Sequence, residues 1–226
     1  STDLLHPPQT IEPARPSRLA LARAVARAWI DVGIWLPSVS ESWLQMAAEG
    51  WIVLGYVGRF FGQNEAVHYV AEERRALCGA ARAEALVPPN EEMRAWGGML
   101  HAEQIWSEYR MRKAPWVLRM IEKQVLRSEH GERTFQRLMA QLLVFPPSPH
   151  AERVDSMEAL IRRCKLWCGI ELRHFAAMWI TDACPCPTLA ANFAYSKRRF
   201  IAELVVLKPP DGGSEAQLTA PLCVGW

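Results

Sequence analysis

Several features that assign a function from sequence are scarce or missing in this chain of 226 residues. The net charge is only +2, because 26 basic residues nearly balance 24 acidic ones, and so small an excess gives no field that would dominate nucleic-acid binding. Six cysteines are too few to build a disulfide framework in a chain of this size. There is also no P-loop, no GxGxxG motif after a strand and no GxSxG motif, so nucleotide binding and hydrolase chemistry lack support.

We expect no secretory signal in STDLLHPPQTIEPARP, because this stretch has neither a basic segment nor an apolar core. We expect residues 1–16, which contain four prolines, to form an extended arm. Residues 17–36 are predicted to form a basic amphipathic helix, similar in composition to a mitochondrial presequence or to a helix lying on an anionic surface. A solvated surface helix is the alternative. The apolar residues that recur at helical spacing in it are Leu21, Val25, Ala28, Trp29 and Val32.

The remaining sequence predicts a mainly α-helical chain with a small C-terminal β-hairpin. Half of the residues are hydrophobic and 22% are charged, which excludes a disordered chain. We expect a helix and its continuation over residues 43–83, and then a soluble helical extension with a β tail over residues 84–226. The expected helices of the extension begin near Asn90, Pro115, Gly131 and Asp155, the first ending near Arg110 and the last near Trp179. The expected hairpin pairs FIAELVVL, residues 200–207, with AQLTAPLCVGW, residues 216–226.

A glycine-bearing apolar segment is the most informative part of the chain. WLQMAAEGWIVLGYVGRFF, residues 43–61, is broken only by Gln45, Glu49 and Arg59 and approaches the roughly 20 apolar residues that a membrane span requires. We therefore predict one membrane-embedded helix here, with a buried helix of a soluble domain as the alternative.

Each glycine in such a helix costs about 1 kcal/mol relative to alanine, so a compensating contact is expected. Gly55, Gly58 and Gly62 fall on one arc of the helix, and the last two form a GxxxG pattern. A face of small residues lets a second helix approach closely in lipid. These three glycines are the predicted contact with a partner helix.

Ten tryptophans are many for this length, and four of them lie close together near the glycine segment. Tryptophan favours the membrane interface, where its ring is half in water, although core packing is its commoner use. The residues predicted to hold the membrane interface are Arg23, Arg27, Trp29, Trp35, Trp43 and Trp51.

The stretch YVGRFFGQNEAVHYV, residues 56–70, resembles the membrane helix of subunit g of the mitochondrial ATP synthase. The likeness extends over residues 43–70 only, and two departures stand out. Arg59 occupies a position that is more often acidic in that family, and a glycine expected shortly after Gly62 is absent. The residues that carry the likeness are Tyr56, Val57, Gly58, Phe60, Phe61, Gly62 and Tyr69.

The resemblance implies a non-enzymatic accessory subunit of the mitochondrial inner membrane, with no cofactor and no nucleic-acid partner. Members of that family pair their glycine face with a helix of subunit e, and the pair helps to shape the membrane at the dimer interface. Carried over to this chain, Gly58 and Gly62 would contact the partner, with Gly55 adjoining. Neighbouring membrane subunits and lipid would be the partners.

A soluble metal protein is the first alternative to a membrane subunit. Two Glu-x-x-His pairs, Glu65 with His68 and Glu171 with His174, have the spacing that di-iron helix bundles use. Glu49, Glu103 and Glu132 are candidate additional ligands.

A zinc site and a helical binding module are also compatible with the sequence. Cys164, Cys168, Cys184 and Cys186 could supply four thiolates to zinc, although a C-x-C pair fits poorly and buried thiols are the favoured interpretation. A helical module that binds nucleic acid or protein would depend on short basic clusters around Arg112 and at 197–199.

Overall fold

The computed structural model describes residues 15–34, 36–79, 84–88, 107–129, 131–143, 154–183, 190–198 and 200–207. These residues form seven α-helices and one antiparallel hairpin, which confirms the predicted mainly α fold with a small β tail. The helices are α1 Arg15–Gly33, α2 Ser42–Phe60, α3 Gln63–Cys78, α4 Glu108–Val125, α5 Gly131–Leu143, α6 Met157–Cys168 and α7 Arg173–Ala176. The strands are β1 Ala190–Ser196 and β2 Ile201–Leu207. The chain divides after residue 184 into two compact units.

Helix α2 is the central helix of the larger unit, and it contacts α1, α3 and α4. Its side chains Trp43, Leu44 and Val57 are completely buried by these neighbours. Burying a large apolar side chain contributes about 1.5–3 kcal/mol, so α2 supplies much of the core.

The segment expected to be embedded in a membrane, residues 43–62, corresponds to this core helix and the turn that follows it. The apolar residues of α2 are covered largely by the chain's own helices, and the helix also contains Gln45, Glu49 and Arg59. Within the described ranges, no helix is both long and apolar enough to cross a membrane.

The predicted continuous helix over residues 43–83 is two helices with a corner between them. α2 ends at Phe60, Gly62 has a φ of +97°, and α3 begins at Gln63. A positive φ of this size is easily adopted only by glycine, so Gly62 lets the chain reverse and pack α3 on α2. The apolar run ends at Phe61, and the polar residues 63–65 follow Gly62, so the corner lies where the polarity of the sequence changes.

Helix α4 begins and runs differently from the prediction. Ser107 caps it, its Oγ accepting a hydrogen bond from the backbone N–H of Arg110 at 3.2 Å. Arg110 and Lys113 therefore lie in its first two turns and not at the end of a preceding helix, and both are buried. Their side chains donate to the backbone carbonyls of Ala85 at 2.9 Å and Glu84 at 3.0 Å. The helix expected from Asn90 lies mostly outside the described residues.

Pro115 does not begin a helix, as the sequence predicts, but lies inside α4. Its ring packs against Gly50 of α2 so closely that a Cβ added to Gly50 would overlap it. The packing of α2 against α4 offsets the helix-propensity cost of Gly50. The two helices can approach this closely because residue 50 has no side chain.

The two later helices begin where predicted, and the second of them ends earlier than predicted. α5 begins at Gly131, and Ser156 caps α6 by accepting a hydrogen bond from the backbone N–H of Ala159 at 3.3 Å. The helix predicted to continue to Trp179 ends at Cys168, because Gly169 adopts a left-handed conformation with a φ of +68°. The chain becomes helical again in α7, which continues into a π-helical turn at Ala177–Thr181.

The smaller unit contains the hairpin of β1 and β2. β2 coincides with the strand predicted over residues 200–207, and among the described residues it pairs with a strand that was not predicted, the preceding segment β1, with Phe193 opposite Leu204. The segment that was expected to pair with it, residues 216–226, lies outside the described residues. The sequence analysis missed β1 because AANFAYS carries only two large apolar side chains, Phe193 and Tyr195.

We expect Gly50→Ala and Gly55→Ala to have opposite effects on the free energy of unfolding. Gly50→Ala should lower it by about 1–3 kcal/mol, because the methyl group overlaps Pro115 and the two helices must separate. Gly55→Ala should raise it by up to about 1 kcal/mol, because its Cβ meets nothing within 4 Å and alanine favours the helix. Urea unfolding followed by circular dichroism measures both, and equal effects would contradict the proposed contact.

Candidate functional site

Helix α1 is apolar on two faces, and only one of them is covered. Ala26 and Ile30 are buried on the inner face. The outer face carries a row of large apolar side chains spaced three or four residues apart, so that they lie along one side of the helix. These are Leu21, Val25, Trp29 and Val32, which are 54%, 61%, 66% and 74% exposed. We call this row the outer stripe of α1.

The outer stripe borders an open groove against α2. Its lining is almost entirely apolar, and its volume is about 500 Å³. Arg18 lies at one end, with its guanidinium 5.4 Å from the centroid of the Phe60 ring. We call it the apolar groove, and the side chains that line it are Arg18, Leu21, Ala22, Val25, Ala26, Trp29, Ile52, Val53 and Tyr56.

An aromatic cluster extends the groove at the C-terminal end of α2. The rings of Tyr56 and Phe60 are stacked with centroids 5.3 Å apart, and Phe61 meets Tyr56 edge-on at 5.8 Å. Phe60 is 58% exposed. The three aromatic residues, which also carry part of the likeness to subunit g, therefore form one continuous apolar surface with the outer stripe.

The three glycines predicted to contact a partner are placed differently from one another. Gly55 is exposed on α2, and a Cβ added there would meet nothing within 4 Å. Gly58 faces α3, where an added Cβ would lie 3.7 Å from the Cβ of Ala66. Gly62 forms the corner described above. Of the three, Gly55 is both exposed and in an ordinary helical conformation, and it lies in sequence between the groove residues Ile52 and Tyr56.

The two arginines predicted at a membrane interface make ion pairs within the chain. Arg23 donates to the hydroxyl of Tyr69 and to the carboxylate of Glu73, both at 3.0 Å. Burial raises the pKa of the Tyr69 hydroxyl, although the neighbouring Arg23 opposes the shift. Arg27 donates to Glu49 at 3.1 Å through two nitrogens. The pairs connect α1 to α3 and to α2.

The predicted interface tryptophans have three different environments. Trp29 belongs to the outer stripe, whereas Trp43 is completely buried in the core and presents no surface. Trp51 is half-buried, and its ring lies 6.1 Å from that of Phe135 on α5. Trp35 lies outside the described residues. Trp29 is thus the described tryptophan of this set that a partner would meet directly.

The glutamate of each Glu-x-x-His pair is engaged in an ion pair. Glu65 binds Arg15 at 2.7 Å, and His68 lies 3.2 Å from Glu72. In the second pair, Glu171 binds Lys165 at 2.9 Å and His174 is exposed. Among the described residues, no group of three or more His, Cys, Asp or Glu side chains could hold a metal ion. Of the candidate additional ligands, Glu49 pairs with Arg27, Glu132 is exposed and Glu103 lies outside the described residues.

The described thiols do not share one environment. Cys164 is buried, and burial raises the pKa of its thiol to about 12, with a smaller contribution from Cys168. Cys168 is partly buried and Cys78 is exposed. Cys184 and Cys186, which complete the candidate zinc ligands, lie outside the described residues.

The basic clusters offer little to nucleic acid. Arg112 pairs with Glu108 at 2.8 Å and with Glu73 at 3.0 Å, which neutralises it locally. Lys197 and Arg198 are exposed in the turn of the hairpin. The described part of the chain therefore presents no broad basic face around Arg112.

The chain matches no model of a known protein family, and no curated protein matches it either. The sequence alone does not predict the apolar groove. The spacing of the apolar residues in the outer stripe indicates a helix, but it does not show which side of that helix is covered. The signal that could have found the groove is the second apolar row on α1, which includes Leu19, Ala26 and Ile30. A helix on the surface of a domain turns one side to the core. When it carries two apolar rows, the second row stays exposed.

We expect iodoacetamide to discriminate between two of the thiols in the folded protein. At pH 8, Cys78 should be alkylated and Cys164 should not, because the latter is buried and its pKa lies near 12. Because the folded-state pKa of Cys164 is raised, its contribution to stability should be lost as the pH rises from about 9 towards 12. Peptide mapping by mass spectrometry measures each site, and full alkylation in denaturant is the control. Rapid labelling of native Cys164 would contradict the structure.

Proposed function

We propose that this protein is a non-enzymatic assembly subunit that binds an apolar helix of a neighbouring subunit in the groove between α1 and α2. The observation that carries the proposal is the outer stripe: four large apolar side chains in one row, each more than half exposed. Contiguous apolar surface of this kind on a protein typically marks an interaction site.

The shape of the groove favours a helix as the occupant. α1 and α2 run antiparallel, since Arg27 pairs with Glu49 whereas Arg18, more than two turns earlier, lies over Phe60 at the end of α2. The groove between two packed helices accepts the side-chain ridge of a third. The stripe extends over about eleven residue steps, or about 17 Å, so the partner needs about three helical turns.

The composition of the surface also suits a protein partner. Tryptophan, tyrosine and arginine are the residues that most often dominate binding energy at interfaces, and Trp29, Tyr56 and Arg18 lie together here. Gly55 is exposed without a side chain, so a partner helix that reaches it could approach the backbone of α2 closely.

The likeness to subunit g supplies a specific identity for the partner. It would make this chain an accessory subunit of the ATP synthase membrane region in the mitochondrial inner membrane, and the bound helix would resemble that of subunit e. This identity depends on the resemblance of residues 43–70 alone. The groove supports the more general statement, which is helix-helix assembly with another subunit.

Photo-cross-linking from the groove tests the proposal. Benzoylphenylalanine replaces Val25 in the full-length chain in its native cell, and the cross-linked peptide is identified by mass spectrometry. We expect one apolar helical segment of another protein, with successive sites three or four residues apart. The same probe at Leu166, which is 70% exposed on α6, is the control and should not give that product. Products only with lipid, only with a second copy of this chain, or scattered over many proteins would contradict the proposal.

Removal of an exposed anchor should weaken the cross-link without unfolding the chain. Trp29→Ser should weaken partner binding at least tenfold, while the free energy of unfolding changes by less than about 0.5 kcal/mol. Leu166→Ser is the matched control and should leave the cross-link unchanged. A Trp29→Ser chain that cross-links as well as the unaltered protein would show that the outer stripe is not the binding surface.

Gly55→Leu tests the contact with a partner helix more directly than a substitution of Gly58 or Gly62 does. Its Cβ meets nothing within 4 Å in the isolated chain, whereas the leucine side chain would occupy the position of a closely approaching partner. Gly62→Leu would be uninformative, because the positive φ of Gly62 makes any side chain destabilise the fold. Retention of the Val25 cross-link in Gly55→Leu would show that no helix packs against this part of α2.

A further inference from the structure

A second cavity lies on another side of α1, between α1, α2, α3 and α4. Its volume is about 760 Å³, within the range of about 300–1,000 Å³ that is usual for small-molecule sites. Three alanines of α1, Ala20, Ala24 and Ala28, line it at successive turns and leave space there, beside the longer side chains of Arg23, Arg27 and Asp31. The opposite walls are apolar and include Met46, Val53, Leu54, Met111 and Trp116. We call it the four-helix cavity.

Most charges that line the four-helix cavity neutralise one another. Arg23 pairs with Glu73 at 3.0 Å and Arg27 with Glu49 at 3.1 Å. The third arginine, Arg112, also reaches Glu73 at 3.0 Å and is paired with Glu108. These groups hold the helices around the cavity and leave no free charge for a ligand.

Arg119 is the exception among the described arginines of this wall. It is partly buried and makes no ion pair or hydrogen bond to a described residue. It lies three residues after Trp116 on α4, so the guanidinium and the indole share one side of that helix. Asp31, the remaining lining charge, is an exposed carboxylate on α1, where water screens it.

From this arrangement we infer that the four-helix cavity binds an amphipathic organic anion, such as a medium-chain carboxylate. Its carboxylate binds the guanidinium of Arg119, and its hydrocarbon chain lies between the alanine wall of α1 and the side chain of Trp116. A guanidinium suits a carboxylate because two parallel N–H groups match the two oxygens. The mostly apolar walls supply the remaining affinity.

Titration calorimetry of the full-length protein with dodecanoate, below its micelle concentration, tests the inference. We expect one site per chain, with affinity rising about fourfold for each methylene from octanoate to dodecanoate, as burial of one CH₂ predicts. Dodecyltrimethylammonium has a similar chain but a positive head, and it should bind at least tenfold more weakly. Equal binding of the two amphiphiles would overturn the assignment of Arg119 as the head-group ligand.

Two substitutions locate the bound anion. Arg119→Gln should weaken dodecanoate binding at least tenfold, because a charge-assisted hydrogen bond is lost. Ala24→Leu should narrow the space between α1 and Trp116 and weaken binding at least tenfold. The matched controls are Arg162→Gln on α6 and Ala76→Leu on α3, exposed residues outside the cavity lining, and neither should change the affinity.

The outcome separates this cavity from the apolar groove. Trp29→Ser should leave dodecanoate binding unchanged, because Trp29 lines the groove and not the four-helix cavity. Binding that is lost in Trp29→Ser but kept in Ala24→Leu would place the anion in the groove and overturn the inference. Absence of binding by the unaltered protein at 1 mM dodecanoate would also overturn it. Neither result depends on whether a partner helix is found.

Discussion

The close approach of α2 and α4 at Gly50 and Pro115 is the constraint on which the larger unit depends. α2 contacts three neighbouring helices, and its contact with α4 is the most extensive of them. A side chain at residue 50 would force the two axes apart and would open the core around Val53 and Val57. A helix-weakening residue is therefore favourable here, since the packing that it permits exceeds its propensity cost of about 1 kcal/mol.

The helices that surround α2 are attached to one another mainly by charged side chains. Arg23 and Arg15 of α1 reach carboxylates on α3, and Arg112 of α4 reaches Glu73 on the same helix. The side chains of Arg23, Glu73 and Arg112 also line the four-helix cavity, so these pairs form part of its wall. Partly exposed pairs contribute little each, about 0–1 kcal/mol, so apolar packing on α2 still holds the helices in place.

The sequence was sufficient for the helical class, for most helix starts and for one strand of the hairpin. Start signals such as Ser156 and Gly131 are local, and so local reasoning finds them. The corner at Gly62 and the course of α4 through Pro115 depend on contacts with residues distant in sequence, which no local pattern contains. The same limit applies to the site. The helical spacing of the outer stripe could be recognised in the sequence. Which of the two apolar rows on α1 faces the core is shown only by the packing of the helices.

The two apolar rows of α1 also have a consequence for how the chain is maintained in a cell. If the proposed partner covers α1, a copy that has not assembled displays Val25, Trp29 and Val32 to water, and chaperones and proteases recognise such surfaces. Binding to the folded form alone stabilises it by mass action, so the amount of protein that accumulates would follow the supply of whatever covers α1. Surplus copies would be degraded, so the amount of this chain in the cell would match the amount of its partner.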